Sequence, residues 1–288
     1  MRARRSRRSC SKRAARPDVI SASNLLVLVG AGNMGGAMLN GWLDAKTDPS
    51  AIVVIDPKLS EAMAARLKDA GVRHETSAPE DVTAGILMLA VKPQVMEAVA
   101  GGLRGLVGPD TVTLSVAAGK TISFFEKLLG GAVVRTIPNT PAMVGRGITG
   151  AVANAAVSAE AKAEIDRLLS VCGPVEWLED EAMIDAVTAV SGSGPAYVFY
   201  LVECMAEAGR KLGLPADLAM RLARATVTGA GELMHRSPDG AGKLRENVTS
   251  PNGTTAAALD VLMADEALQP IFDEALAAAA ARSRELAG

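Results

Sequence analysis

A polar loop near the end of the chain brings hydroxyl groups next to residues that break regular structure. It covers residues 246–255, contains Pro251 and Asn252-Gly253, and leads into an apolar, helix-like stretch. Proline and Asn-Gly favour turns, and the first N–H groups of a helix lack partners within it. Thr254 and Thr255 therefore place hydroxyl and N–H groups where a small anion can bind. On spacing alone, a plain corner between two helices, capped by Thr254, is the favoured interpretation.

A second group of residues with chemical potential stands near the start of the chain. The apolar run of residues 25–29 precedes Gly30-Ala31-Gly32-Asn33-Met34-Gly35, and a helix-like stretch covers residues 36–43. This order predicts a tight turn, bare backbone that a pyrophosphate can approach, and a positively polarised helix end. A predicted strand at residues 52–55 leads into Asp56, 21 residues beyond Gly35. An acid at that distance binds the ribose in dinucleotide sites, so the sequence predicts such a site.

Two side chains bear on which nicotinamide dinucleotide is used. Asp56 would accept hydrogen bonds from the ribose hydroxyls and repel a 2′-phosphate, which favours NADH. Lys58 would attract that phosphate, although a lysine in a turn is often simply solvated. The sequence leans toward NADH and leaves NADPH open.

The elements that must position these groups alternate between strand and helix. Further strands are predicted near residue 72 and at residues 85–91, 111–116, 132–136, 148–153 and 174–178, and helices at residues 60–70, 93–103, 122–129 and 159–172. Alternation of this kind predicts a doubly wound, Rossmann-like α/β domain, here residues 24–178. Ligands bind such sheets at the carboxyl ends of the strands. Lys92 and Asn139 follow predicted strands; Asn139 could bond the nicotinamide carboxamide or the substrate, or serve an ordinary turn.

From residue 179 onward the pattern changes to nearly continuous helix, which predicts an all-α domain over residues 179–288. Helices are predicted at residues 196–212, 216–234, 256–263 and 266–286, with breaks that include residues 191–195. Apolar residues surround much of these helices, more than one small bundle can bury. We therefore expect a homodimer with interlocked helices; the alternative is a monomer with alanine-rich surfaces.

Composition excludes several classes of function. The first sixteen residues hold eight Arg or Lys and no acid, whereas the remaining chain carries 22 basic and 32 acidic residues. An acidic body argues against a nucleic-acid surface, and no apolar run reaches the roughly 18 residues that span a membrane. The three cysteines are scattered and there are only two histidines, so the sequence predicts no metal site. Unpaired cysteines also indicate reduced thiols in a cytoplasmic compartment. Residues 1–23 are predicted to be a basic leader, which is a disordered tail, a transit peptide or the result of a start codon placed too far upstream. We expect a bacterial, cytoplasmic protein rather than one imported into an organelle.

Five motifs, in order, resemble those of the pyrroline-5-carboxylate reductase family. They cover residues 30–35, 90–94, 135–142, 191–197 and 248–255, and the resemblance extends from about residue 24 to the end. The first motif is common to many dehydrogenases, whereas the last two together are specific. The resemblance implies reduction of 1-pyrroline-5-carboxylate to L-proline with NADPH or NADH, the last step of proline synthesis, by a homodimer or a ring of dimers.

The resemblance also implies a set of site residues. The family's cofactor contacts correspond to Gly30, Ala31, Gly32, Asn33, Met34, Gly35, Asp56, Ala90, Val91, Lys92, Pro93 and Asn247. Lys58, for its charge, and Asn139, for its place after a strand, are further candidates. Ser77 stands where the family often has an Asn contact. The substrate site falls on Ser250, Gly253, Thr254 and Thr255, with the carboxylate at the Gly253 and Thr254 amides and the Thr255 hydroxyl toward the ring nitrogen. Asn252 replaces a family glycine, which is tolerable because asparagine accepts left-handed conformations.

Two other functions are compatible with this architecture. A β-hydroxyacid dehydrogenase would use a lysine on the helix after the dinucleotide domain, but residues 180–196 contain none. A module that senses a nicotinamide cofactor without turning it over is the second alternative, and the anion-binding loop argues for a substrate instead.

Overall fold

The predicted strands assemble into one sheet. The structure, a computed structural model, describes residues 24–287, so the expectations for the leader lie outside the described residues. The strands are β1 Leu25–Val29, β2 Ile52–Ile55, β3 Arg73–Glu75, β4 Ala84–Leu89, β5 Val107–Ser115, β6 Ala132–Pro138, β7 Thr149–Ala153 and β8 Val175–Trp177. Their order across the sheet is β3-β2-β1-β4-β5-β6-β7-β8. Strands β1 to β6 run parallel, whereas β7 is antiparallel to β6 and parallel to β8.

Helices cover both faces of the sheet, which is why β1 and β2 are apolar at every position. These helices are α1 Asn33–Asp44, α2 Glu61–Ala70, α3 Met96–Gly101, α4 Ile122–Leu128 and α5 Ala159–Leu169. Leu26 and Leu28 belong to one hydrophobic cluster and Val27 and Val29 to another, as alternation along a strand requires. The helix predicted at residues 93–103 is shorter than expected, because a 3₁₀ turn Pro93–Val95 precedes α3 and a Gly-Gly pair ends it.

The rest of the described chain is helical, as predicted. It contains α6 Ile184–Val187, α7 Gly194–Lys211, α8 Ala216–Arg236, α9 Ala241–Asn247, α10 Thr254–Leu262 and α11 Leu268–Ala287. The predicted break at residues 191–195 is mostly absent, because a π-helical turn, Thr188–Gly192, continues α6 almost to the start of α7. Its wider i to i+5 bonding includes Ser193 N–H to Thr188 O at 2.8 Å.

The helical region leaves many apolar side chains open to solvent. Phe199, Val261 and Ile271 are 63, 70 and 62% exposed, and α10 buries none of its residues. Such surface exceeds what a monomer normally exposes in one region. Within residues 24–287, no helix combines the length and apolarity needed to cross a membrane.

Candidate functional site

The glycine-rich turn has the geometry that the sequence predicts. It joins β1 to α1, next to the point between β1 and β4 where the strand order reverses. Gly30 has a φ of +90°, and a Cβ on Gly35 would lie 2.1 Å from the Gly30 carbonyl oxygen. At Gly32, by contrast, a Cβ would meet no atom within 4 Å, and no side chain caps the start of α1. The turn therefore leaves open space in front of uncapped helix N–H groups.

Asp56 follows β2 and reaches back to this turn. One carboxylate oxygen, Oδ2, accepts a hydrogen bond from the Ala31 N–H at 2.9 Å, and the other, Oδ1, accepts from the Lys58 N–H at 2.8 Å. The carboxylate thus holds the glycine turn, and its contact with the ribose stays a prediction. His74 on β3 was not anticipated: its Nε2 lies 2.8 Å from the Asp56 carbonyl oxygen. Only the pairing of β2 with β3 reveals that neighbour.

The segment after β4 borders the same turn. The Ala90 N–H donates to the Val29 carbonyl oxygen at 2.8 Å, and a Cβ on Gly30 would lie 2.9 Å from the Ala90 carbonyl oxygen. Lys92 is exposed, and Pro93 begins the 3₁₀ turn beside it. Ser77 is exposed in the loop that follows β3. The structure therefore brings the glycine turn, Asp56 and the Ala90 segment together at the carboxyl ends of the parallel strands.

Asn139 lies just beyond β6 and uses both atoms of its amide within the chain. Its Nδ2 donates to the Ser191 carbonyl oxygen at 3.2 Å, and its Oδ1 accepts from the Ile148 N–H at 3.0 Å. It thereby connects the sheet to the π-helical turn. The cofactor or substrate contact expected of Asn139 stays a prediction.

The loop between α9 and α10 is tighter than the sequence suggests. Its first predicted residues, including Asn247, form the end of α9, so the turn itself covers residues 248–253. Asn252 has a φ of +58°, the left-handed conformation that asparagine was expected to accept. Gly253 is the N-cap and Thr254 the first helical residue, so the alternative in which the Thr254 side chain caps the helix is wrong.

Backbone N–H groups at the start of α10 point to an anion site. The Gly253 N–H donates to the Ser250 carbonyl oxygen at 3.0 Å, whereas no side chain caps the helix. The N–H groups of Thr254 and Thr255 have no partner available within a helix, because they belong to its first turn. The Gly253 N–H, one of the two amides expected to bind the carboxylate, is thus engaged within the turn, whereas the N–H groups of Thr254, Thr255 and Ala256 have no hydrogen-bond partner among the described residues.

Contacts from the helical region reach the loops at the carboxyl edge of the sheet. After β5, a Cβ on Gly119 would lie 2.8 Å from the carbonyl oxygen of Leu286 near the end of α11. After β6, Arg146 lies 3.4 Å from Glu232 on α8, and the pKa of Glu232 is lowered first by its bond to Arg236 and then by Arg146. None of the hydrogen bonds or ion pairs found between described residues joins the 248–253 turn to the sheet.

A mostly parallel sheet with a glycine-rich turn at its reversal, followed by an exposed helical region, is the architecture of two-domain nicotinamide-dependent oxidoreductases. A family model described as "Pyrroline-5-carboxylate reductase dimerisation" matches residues 181–286, and one described as "NADP oxidoreductase coenzyme F420-dependent" matches residues 25–119. The chain belongs to the pyrroline-5-carboxylate reductase family. A curated pyrroline-5-carboxylate reductase of Pseudomonas aeruginosa is 42% identical over 269 residues, which cover 91% of this chain and 96% of that protein.

Solved structures agree with this assignment. The pyrroline-5-carboxylate reductase of Coxiella burnetii is 33% identical, with a TM-score of 0.85 over 92% of this chain and 99% of its own. The Plasmodium falciparum enzyme, solved with NADP bound, is 26% identical, with a TM-score of 0.76 over 93% of this chain and 99% of its own. The predicted family and the Rossmann-like fold with a helical dimerisation domain are thus confirmed.

Proposed function

We propose that this chain reduces 1-pyrroline-5-carboxylate to L-proline in an NAD(P)H-dependent reaction. The observation that carries the proposal is the combination of an open glycine-rich turn with a second, uncapped helix start at α10 in a member of this family. The first suits a dinucleotide and the second suits a small carboxylate.

The cofactor-binding proposal rests on space and donors at the sheet edge. Gly30 and Gly35 admit no side chain, whereas Gly32 leaves room for a pyrophosphate in front of the α1 N–H groups. Asp56 lies at the ribose end, with Lys58 two residues beyond it. Ala90, Val91, Lys92 and Pro93 line the other side of the turn, and Ser77 and Asn247 are further proposed contacts. When bound, the nicotinamide group supplies the hydride.

At the second helix start, α10 holds the substrate carboxylate. The N–H groups of Thr254 and Thr255 donate to it, and Ser250 and Gly253 form the adjoining wall. A helix N-terminus stabilises an anion by about 0.3–1 kcal/mol when exposed and by up to about 2 kcal/mol when partly buried. That is enough to orient a small, rigid ring.

The Thr255 hydroxyl is proposed to act on the ring nitrogen. Because the imine can enter already protonated, the reaction needs no strong general base, and much of the rate comes from positioning. As the hydride reaches the C=N carbon, the nitrogen becomes a basic amine. Thr255 then donates a hydrogen bond to it or relays a proton.

We also propose that the functional unit is a homodimer, which a ring of dimers could extend. Exposed apolar side chains on α7, α10 and α11 support it, because they need a partner surface. The proposed domain boundary lies between residues 178 and 179, just after β8. A cytoplasmic location is supported by the free thiols of Cys172 and Cys204.

The test is an assay of cofactor oxidation with and without 1-pyrroline-5-carboxylate, run with NADH and with NADPH. Substrate-dependent oxidation with formation of proline is the expected result. Cofactor binding without any turnover would instead support the module that only senses the cofactor. The ratio of kcat/KM for the two cofactors decides between the opposing influences of Asp56 and Lys58.

A further inference from the structure

The π-helical turn Thr188–Gly192 is held by side chains from outside it. The Tyr197 hydroxyl donates to the Ala189 carbonyl oxygen at 3.1 Å, and the Asn139 amide donates to the Ser191 carbonyl oxygen at 3.2 Å. A π turn is strained relative to an α-helix and often marks a functional site. These two side chains bond to the Ala189 and Ser191 carbonyl oxygens of the turn and tie it to neighbouring elements.

The turn lies on strand β6, and the end of α6 just before it lies on β7. A Cβ on Gly150 would come within 2.7 Å of Val187 Cγ1, and one on Gly192 within 3.4 Å of Ile137 Cγ2. Beside these contacts a groove of about 300 Å³, open to solvent, is lined by residues that include Ile148, Val190 and Ser191. Strand β6 and helix α11 both pack against the turn. The groove leaves another side open, and the Asn139 bond fixes the end of the turn.

The position of this turn determines where the helical region begins. Helix α7 starts at Gly194, two residues after the turn, and the Tyr197 ring packs edge-to-face on Phe272 of α11 with 6.5 Å between ring centres. A shift of the turn would therefore move α7 and α11 relative to the carboxyl ends of the strands, where the proposed cofactor site lies.

We propose that Asn139 is a positioning residue, which fixes the π-helical turn and thereby the helical region relative to the dinucleotide site. The inference rests on the proposed reductase function. It differs from a direct cofactor contact, because Asn139 acts through the Ser191 carbonyl oxygen. A displacement of about 1 Å between reacting groups can lower a rate by about a hundredfold.

The decisive variant is Asn139→Asp. It keeps an acceptor for the Ile148 N–H but loses the donor to Ser191. We expect kcat to fall by about tenfold or more, while the Kd for the cofactor stays within about twofold. Tyr197→Phe, which removes only the bond to Ala189, should show the same split with a smaller loss.

Asn154→Asp is the matched control, because Asn154 makes an equivalent network at the opposite end of the same two strands. Its Oδ1 accepts from the Val133 N–H at 3.1 Å, and its Nδ2 donates to Gly131 O at 3.0 Å and to Glu126 Oε1 at 2.8 Å. The control should lose stability but keep kcat within about twofold, since it lies away from the turn.

Two kinetic outcomes would overturn the proposal. The first is an unchanged kcat in Asn139→Asp. The second is a raised Kd for the cofactor together with an unchanged kcat at saturating cofactor, because that result would show that Asn139 contacts the cofactor directly. Hydrogen exchange decides the matter independently of turnover, even if the wild-type chain reduces no substrate. Exchange in residues 188–197 should accelerate in Asn139→Asp and not in Asn154→Asp; unchanged exchange contradicts the proposal.

Discussion

Arg135 on β6 donates a hydrogen bond from Nη1 to Glu181 Oε1 at 2.7 Å, which joins the sheet to the start of the helical region. The Arg135 residue is only 3% exposed. The same Glu181 oxygen accepts from the Ile122 N–H at 2.9 Å, in the first turn of α4. One carboxylate thus pairs with a buried cation, whose Nε has no hydrogen-bond partner among the described residues, and with a helix start. Its loss should therefore be costly.

Glu181→Ala should therefore lower the free energy of unfolding by about 3 kcal/mol, because it leaves a buried guanidinium without its partner. Urea denaturation at one fixed protein concentration measures the loss. Glu285→Ala is the control, since Glu285 pairs with Arg282 where both side chains are largely exposed. Such surface pairs contribute about 0–1 kcal/mol. Equal losses in the two variants would contradict this account of Glu181.

Alanine substitutions at Gly35 and Gly32 should have different effects. Gly35→Ala places a Cβ against the Gly30 carbonyl oxygen, so it should destabilise the fold by about 1–3 kcal/mol. Gly32→Ala meets open space and should fold normally. It should nevertheless weaken cofactor binding, because its methyl group would enter the space proposed for the pyrophosphate. Thermal unfolding and cofactor titration separate the two effects. A Gly32→Ala protein with unchanged cofactor affinity would argue against a pyrophosphate at this turn.

Thr255→Ala should lower kcat by about tenfold to a hundredfold, because it removes the hydroxyl proposed to act on the ring nitrogen. The cofactor Kd should change little, since the hydroxyl is proposed to act on the substrate and not on the cofactor. Thr255→Ser keeps the hydroxyl and should recover most of the turnover. Steady-state kinetics that are the same in Thr255→Ala and wild type would refute the role.

Asp56→Asn should shift the cofactor preference toward NADPH. The substitution removes a negative charge that would repel a 2′-phosphate, an effect of about 1 kcal/mol or more at close range. The amide oxygen can still accept from the Ala31 N–H, so the glycine turn should keep its shape, while the bond from the Lys58 N–H is lost. The ratio of kcat/KM for NADPH and NADH measures the shift. A ratio that does not move would mean that Asp56 acts mainly as a support for the turn.

Phe199→Asp should convert the proposed dimer to a monomer, because it places a charge in the exposed apolar surface of α7. Sedimentation velocity over a range of concentrations measures the change. Val95→Asp is the control: Val95 is also exposed but lies beside the sheet domain, in the 3₁₀ turn before α3. A wild-type chain that sediments as a monomer would overturn the dimer itself.

Local features of the site could be predicted from the sequence because short-range physics controls them. The buried run Leu25–Val29, the glycine turn and Asp56 follow from strand patterning and from the steric freedom of glycine. The left-handed Asn252 follows from the conformational tolerance of asparagine in the same way. The motif order that identified the family is likewise a property of the chain alone.

Tertiary structure decided the features that depend on residues far apart in the chain. It paired Arg135 with Glu181 and Asn139 with Ser191, and it wound residues 188–192 as a π turn where a break was expected. It also gave Asp56 a bond to Ala31 in addition to its expected role. Sequence periodicity specifies which face of an element is buried but not which polar groups then meet. Those partners are set by the packing of the helical region on the sheet.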